Sequence, residues 1–147
     1  MLVLLRFLHV LSIAAWLGAT LWLAGDARRS LSAGPDSARA FFERALRALQ
    51  VDRLAGLATI VTGSALIMVT GVWPALPVPL MIGMTLGVAR FGLTDAALRP
   101  AVRKLSARLE AGEAPGTLRP AAGKLAMLSG IGHLVWLGAL AGMIAST

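Results

Sequence analysis

Two histidines are the side chains in this sequence best suited to bind a metal or a haem iron. His9 and His133 both lie inside long apolar stretches, where ionisable residues are rare and usually face a bundle interior or a cavity. His9 follows the start of its stretch by about eight residues, and His133 precedes the end of its stretch by about twelve. Each histidine therefore lies roughly 12–18 Å from that end of its helix. We therefore expect the two histidines to lie at a similar depth and to share one site.

The polar residues near each histidine follow one face of a helix. Ser12 and Trp16 continue the face of His9, and Ser129 lies one turn before His133. Two neutral imidazoles that face each other across a four-helix bundle suit the two axial positions of a b-type haem. The haem would be bound without covalent attachment because the chain has no cysteine. The expected cofactor-binding residues are His9, His133, Arg6, Trp16, Trp136, Ser12 and Ser129, with the haem iron on the two histidines.

Two arginines could hold an anionic group beside such a cofactor. Arg6 precedes His9 by three residues, so it can pair with a haem propionate or extend towards lipid headgroups. Arg90 lies deeper and can be a buried partner for an anionic ligand or can extend to the inner surface. Asp95 and Arg99 have the i, i+4 spacing of an ion pair, which we expect at the membrane interface.

The histidines also have simpler explanations. Each can form a structural hydrogen bond to a serine or threonine of a neighbouring helix. Two histidines without a nearby carboxylate or cysteine supply too few ligands for a zinc or copper site, and the methionines form no cluster beyond Met81 and Met84. No glycine-rich phosphate loop, Ser/His/Asp set or pair of carboxylates supports a hydrolase or a phosphoryl-transfer enzyme.

Membrane-spanning helices must position these residues. Hydrophobic residues make up 57% of the chain and charged residues 14%, whereas soluble domains are far more polar. Crossing the hydrocarbon core of a bilayer takes about 20 apolar residues in a helix. Four stretches reach this length, at about 2–24, 54–72, 78–98 and 122–145. We predict a single all-α integral membrane domain, 1–147, built as a four-transmembrane-helix bundle.

The basic residues predict the orientation of this bundle. Arginines and lysines cluster in the two loops 25–53 and 99–121, whereas the turn at 73–77 has no charge. By the positive-inside rule the two loops are cytoplasmic and both termini are non-cytoplasmic. The net charge of +7 then reflects topology and lipid contacts. Nucleic acid is not an expected partner, because no base-stacking aromatics accompany the basic residues.

Parts of both loops have helical periodicity. Phe42, Leu46 and Leu49 recur at helical spacing, so this part either extends the second span or lies on the membrane surface. Residues 102–109 similarly continue the third helix, a break follows at 110–116, and Pro120 is expected to begin the fourth helix. Glycine pairs at 83 and 87 and at 138 and 142 should let helix backbones approach closely.

The first helix resembles a known group of membrane proteins. A histidine in Arg6-Phe7-Leu8-His9-Val10-Leu11 followed by Trp16-Leu17-Gly18 is similar to the opening span of small bacterial proteins related to the CopD copper-resistance domain and the HemJ-type protoporphyrinogen oxidases. The start of the second span, from Arg53-Leu54-Ala55 to Gly63, is similar to CopD-related sequences. The resemblance implies a four-helix membrane bundle and, in the HemJ-like branch, a b haem with His9 as ligand. The lysine and the Asn-Glu-x-Pro element of HemJ-type enzymes have no counterpart here.

These observations predict a bis-histidine b-haem protein of the bacterial inner membrane, with an electron-transfer or other redox role near the outer face. A quinone or a redox protein would exchange electrons with it, and an enzymatic activity would be that of a haem-dependent oxidoreductase. A homo-oligomer is compatible with the sequence. Two alternatives stay open. One is a protein that handles copper or a small solute through the same histidines, and the other is a non-catalytic accessory subunit of a membrane complex.

Overall fold

The computed structural model describes residues 1–145 and is helical along nearly all of this length. The helices form four rods. The first consists of α1 (Leu2–Gly18), a turn at 19–22, and α2 (Leu23–Ala33), and the second is α3 (Pro35–Thr70). A short 3-10 turn, Trp73–Ala75, precedes the third rod, in which α4 (Val78–Leu93), a π-helical turn (Thr94–Leu98) and α5 (Arg99–Glu110) follow without interruption. The fourth rod is α6 (Pro115–Ile144).

Glycine and proline separate the rods. Gly34, Gly71 and Gly112 each have a positive φ, a conformation that a residue without a Cβ adopts at low cost and that commonly follows a helix. Pro35 and Pro115 begin α3 and α6, where the missing N–H of proline has no helical partner to lose. These residues make the chain reverse direction three times.

One half of the molecule has a continuous apolar core. In this half, which we call the packed half, α2 and α5 contact the start of α3, and α2 also contacts α6. Phe41 and Phe42 meet edge to face at 5.1 Å near the middle of this core. The core is formed by Leu23, Ala27, Leu31, Ala38, Phe41, Phe42, Ala45, Leu49, Leu98, Val102, Leu105, Leu109, Leu118, Ala122 and Leu125.

The other half, the open half, consists of two helix pairs. In one pair α1 packs against the second part of α3, and in the other α4 packs against the second part of α6. The second pair is close at Gly83 and Gly142, one glycine of each predicted pair, whereas nothing lies within 4 Å of a Cβ at Gly87. A Cβ at Gly142 would lie 2.6 Å from the carbonyl oxygen of Pro79, and one at Gly83 would lie 2.8 Å from that of Ala139. The two pairs are therefore joined mainly through the packed half.

The structure corrects some of the expected boundaries. Three helices are long and apolar enough to cross a membrane, Leu2–Ala33, Pro35–Thr70 and Pro115–Ile144. The expected span 78–98 is helical throughout, as the α-helix Val78–Leu93 continued by the π-helical turn Thr94–Leu98, and its α-helical part is shorter than these three helices. The expected loops 25–53 and 99–121 are mostly helical, since their apolar residues pack into the core of the packed half.

The extensions of the second and third helices are confirmed, as is the break near 110–116. The expected start of the fourth helix at Pro120 is wrong. Pro115 begins α6 and Pro120 lies inside it. The first turn of α6 thus forms before Pro120, at the point where Leu118 enters the core.

Candidate functional site

A large cavity lies between the two helix pairs of the open half. Its volume is about 560 Å³, which is within the range of about 300–1,000 Å³ typical of cofactor and ligand sites. Most of its lining is apolar, and all four rods contribute to it. The lining residues are Arg6, His9, Ile13, Trp16, Thr59, Ile60, Gly63, Ser64, Leu66, Ile67, Thr70, Val72, Pro77, Leu80, Met84, Gly87, Val88, Leu140, Met143 and Ile144.

His9 is the histidine that lines this cavity. Its Nδ1 lies 2.9 Å from Thr62 Oγ1, and the Thr62 hydroxyl donates to the carbonyl of Ala58 at 2.6 Å. Since the hydroxyl proton is directed to Ala58, the Nδ1–H of His9 donates to Thr62. The neutral ring then carries a lone pair on Nε2, the form in which imidazole binds a metal.

Small residues on α3 make room for this ring. A Cβ at Gly63 would lie 3.0 Å from Cε1 of His9, so any larger side chain there would press on the imidazole. Ser12, one turn along α1, donates to the carbonyl of His9 at 2.8 Å and accepts a hydrogen bond from Thr59 at 3.1 Å. The predicted polar face of α1 thus packs against α3. This packing keeps His9 on the side of α1 that borders the cavity.

The structure does not place His133 in this cavity. His133 is on α6, and its Nε2 is buried without a hydrogen-bond partner among residues 1–145. Ser129 is also buried outside the cavity, whereas Trp136 lines a smaller void of about 20 Å³ together with Trp16. Of the seven predicted binding residues, the large cavity brings together Arg6, His9 and Trp16.

A buried ion pair lies where the two halves meet. Arg90 Nη2 is 2.7 Å from Asp52 Oδ1 and Nη1 is 3.3 Å from Oδ2, and these side chains are 2% and 1% exposed. Arg90 Nη2 also donates to the carbonyl of Trp16 at 3.3 Å and lies 3.5 Å from Thr20 Oγ1. The guanidinium carbon is 4.5 Å from the Trp16 ring centroid, a cation–π contact. Arg90 therefore links α4 to both helices of the other pair.

Sequence reasoning found Arg90 but missed Asp52, which falls within the expected loop 25–53. A signal was present. Asp52 precedes Thr59 by seven residues, and Thr59 precedes Thr62 by three, so all three continue one helix face. Following the polar face of the second span from Thr59 back towards the N-terminus, beyond the apolar stretch, leads to Asp52, the partner of Arg90.

The predicted ion pair of Asp95 and Arg99 is confirmed, with Arg99 Nε 3.1 Å from Asp95 Oδ1. Arg53 approaches the same carboxylate oxygen at 3.8 Å, and Arg99 Nη2 donates to the carbonyl of Leu49 at 2.7 Å. These contacts connect the π-helical turn and the start of α5 to α3. They lie next to the buried ion pair along the third rod.

Ligands for a metal ion are sparse in the described part of the chain. Within residues 1–145 no three His, Cys, Asp or Glu side chains lie close enough to hold an ion. Two methionines, Met84 and Met143, line the same cavity as His9. Thioether sulfur favours Cu(I) over harder ions.

Comparisons with protein-family models, curated proteins and solved structures give no match. The resemblance to CopD-related and HemJ-type proteins therefore stays a prediction from the sequence.

Proposed function

We propose that this chain is a four-span membrane protein of the bacterial inner membrane that binds a b-type haem in the large cavity through His9. The observation that carries the proposal is the hydrogen bond from His9 Nδ1–H to Thr62. It leaves the Nε2 lone pair free for iron, and such bonds commonly fix the orientation of a ligating imidazole. Bound haem would supply one-electron chemistry, which suits an electron-transfer role.

Other features of the cavity support a haem. The mostly apolar lining and the volume of about 560 Å³ suit a largely apolar cofactor. Arg6 lines the same cavity as His9, and its guanidinium can pair with a carboxylate such as a propionate. In this proposal the protein supplies one histidine ligand, because His133 is not among the residues that line the cavity.

Exposed apolar side chains support insertion into a bilayer. Leu4, Val61, Met68 and Leu134 are each more than 60% exposed, and a water-soluble monomer rarely presents such a large apolar surface. We extend the proposal to a fourth crossing by α4 and the π-helical turn, 21 helical residues in all (78–98). The basic ends of the rods then lie in the cytoplasm, and the cavity lies in the outer half of the bilayer.

The absorption spectrum of detergent-purified protein, expressed with ample haem supply, tests the haem proposal. We expect Soret and α bands in the wild type, their loss in His9→Ala and their retention in His133→Ala. Thr62→Val should weaken haem retention, because it removes the hydrogen bond to Nδ1. A colourless wild type contradicts the proposal. Loss of the bands in both histidine variants, with size-exclusion profiles unchanged, would instead support shared ligation by His9 and His133.

Copper handling is a second candidate, favoured by the methionines. The cavity that contains His9 also contains Met84 and Met143, and two thioethers with one imidazole are a suitable ligand set for Cu(I). Anaerobic titration with a chromophoric Cu(I) chelator tests it. Copper bound in a one-to-one ratio by a colourless wild type, and lost in both Met84→Leu and His9→Ala, would favour this function over haem binding.

A further inference from the structure

Three buried polar atoms lie on the facing surfaces of α4 and α6 without a hydrogen-bond partner in the described part of the chain. They are Arg90 Nε, Ser129 Oγ and His133 Nε2. Arg90 is 2% exposed and Ser129 is 3% exposed. Buried polar atoms in proteins almost always have a partner, either from the protein or from an ordered water. These three atoms therefore indicate a bound polar group.

The register of α4 and α6 brings the three residues to neighbouring turns of the two helices. The helices are antiparallel, since Gly83 lies against Ala139 and Met143 whereas Leu86 lies against Gly138. Counting four residues on from Leu86 in α4 reaches Arg90. Counting four residues back from Gly138 in α6 reaches the position next to His133, so Arg90 lies opposite that position. Ser129 precedes His133 by one turn and so shares its face. His133 also lies within electrostatic range of Arg90 and Asp52.

The three atoms have complementary roles in hydrogen bonding. Arg90 Nε–H can only donate. In the neutral ring with its proton on Nδ1, His133 Nε2 can only accept, whereas the Ser129 hydroxyl can do either. A group that bridges them must both accept and donate.

We propose that one ordered water molecule is bound between α4 and α6, where it accepts from Arg90 Nε–H and donates to His133 Nε2 and Ser129 Oγ. Three hydrogen bonds are typical of a buried water. The water extends the Asp52–Arg90 pair to the fourth rod. Arg90 already contacts Asp52 of α3 and Trp16 of α1, so all four rods then meet in one polar layer. This layer fixes the separation of the two helix pairs, and with it the width of the cavity, whether or not a ligand is bound.

Ser129→Ala distinguishes a hydrated site from a set of unpaired groups. If the hydroxyl bonds to the water, its removal should lower the folding equilibrium constant about fivefold, the usual effect of losing one hydrogen bond. If the hydroxyl is unpaired, its removal should leave the constant unchanged or raise it. Ser64→Ala is the matched control, since Ser64 is an exposed serine of α3 that lines the cavity, and it should change little. Reversible denaturation in mixed micelles measures both constants.

An experimental structure that resolves ordered water gives a second measurement, independent of any variant. We expect one density peak within hydrogen-bonding distance of Arg90 Nε, Ser129 Oγ and His133 Nε2. An empty position, or direct bonds among these side chains, would overturn the proposal. So would a Ser129→Ala variant as stable as the wild type.

Discussion

Asp52 and Arg90 bring opposite charges into a part of the molecule from which solvent is excluded. Desolvating two charges is costly, and the cost is offset only when the geometry is good and the remaining donors are paired. Here the guanidinium uses both terminal nitrogens on the carboxylate, and one of them also bonds to the backbone of α1. The pair therefore favours one arrangement of α1, α3 and α4, because any other arrangement would leave a buried charge without its partner.

Removing one member of this pair should be strongly destabilising. We expect Asp52→Asn to lower the free energy of unfolding by about 3–5 kcal/mol, since the Arg90 charge then stays buried without compensation. Asp26→Asn is the matched control, because Asp26 forms a similarly short ion pair with Arg44 (2.8 Å) at the surface, and such pairs contribute about 0–1 kcal/mol. Denaturant unfolding in detergent measures both values, and equal losses in the two variants would contradict the prediction.

At the scale of the elements, the contact between α4 and α6 depends on two glycines. The backbones approach so closely at Gly142 that a Cβ there would lie 2.6 Å from Pro79 O and 3.0 Å from Gly83 N. A side chain at either glycine must push the helices apart, because backbone atoms cannot move aside as a flexible side chain can. The packing of the second helix pair thus has little tolerance for substitution.

Gly142→Leu should lower the free energy of unfolding by about 1–3 kcal/mol or more, since about 1–3 kcal/mol is the usual cost of overpacking. Gly130→Leu on the same helix is the control. A Cβ at Gly130 meets nothing within 4 Å, and leucine is a better helix former than glycine, so this variant should be as stable as the wild type or more stable. Thermal unfolding followed by circular dichroism compares them. Similar melting temperatures for the two variants would show that α4 and α6 are not held this closely.

The turn between α5 and α6 has a pH-dependent contact. Glu113 accepts a hydrogen bond from Arg108 Nε at 2.7 Å and another from Thr117 at 2.9 Å. The hydrogen bond from Arg108, together with that from Thr117, lowers the pKa of Glu113 below its ordinary value of 4.5. Because the pKa is lower in the folded state, the contact stabilises the fold above the ordinary pKa and this contribution is lost as the pH falls through the lowered one.

We therefore expect wild type to be more stable than Glu113→Gln near pH 6, with the difference disappearing as the pH falls well below 4.5. The effect should be small, since the side chains of Arg108 and Glu113 are 39% and 32% exposed and solvent screens the pair. Denaturant unfolding of both proteins across this pH range gives the difference directly. A difference that grows on acidification would have the wrong sign and would contradict the assignment.

The sequence predicted elements better than contacts, and the reason is physical. Helical periodicity and apolar length are local properties, so the long helices, their extensions and the Asp95–Arg99 pair could be predicted. The partner of Arg90 depends on how α3 and α4 are aligned, which no local pattern encodes. Similar depth made His9 and His133 look like a pair, yet depth does not define which helix faces meet. The helix pairing places His9 against α3 and His133 near Arg90.

At the scale of the whole molecule, the two halves differ in how they are held. The packed half has an apolar core shared by all four rods, whereas the open half surrounds a cavity of about 560 Å³. The ion pair of Asp52 and Arg90 lies between them. A ligand in the cavity would therefore bind between two helix pairs that are held together mainly at the end next to the packed half. Ligand binding should for this reason stabilise the open half most.

Orientation in the membrane is the last property that this architecture predicts. The turns near 34 and 112 flank the basic packed half, and the uncharged turn at 73–75 lies at the end of the open half. By the positive-inside rule we expect the first two turns to face the cytoplasm and the third to face outward. If the third rod did not cross the bilayer, residues 75 and 114 would lie on the same side. The position of these turns thus tests the fourth crossing as well as the orientation.

The absence of native cysteine makes single-cysteine mapping direct. Ala33→Cys, Ala75→Cys and Ala114→Cys place a thiol at three exposed positions, one near each turn. With a membrane-impermeant maleimide on intact spheroplasts, we expect labelling at 75 and none at 33 or 114 until the membrane is permeabilised. Labelling of 33 and 114 but not 75 would reverse the orientation. Labelling of both 75 and 114 would mean that the third rod does not cross, and labelling of all three would contradict membrane insertion, because no bilayer would then separate the turns.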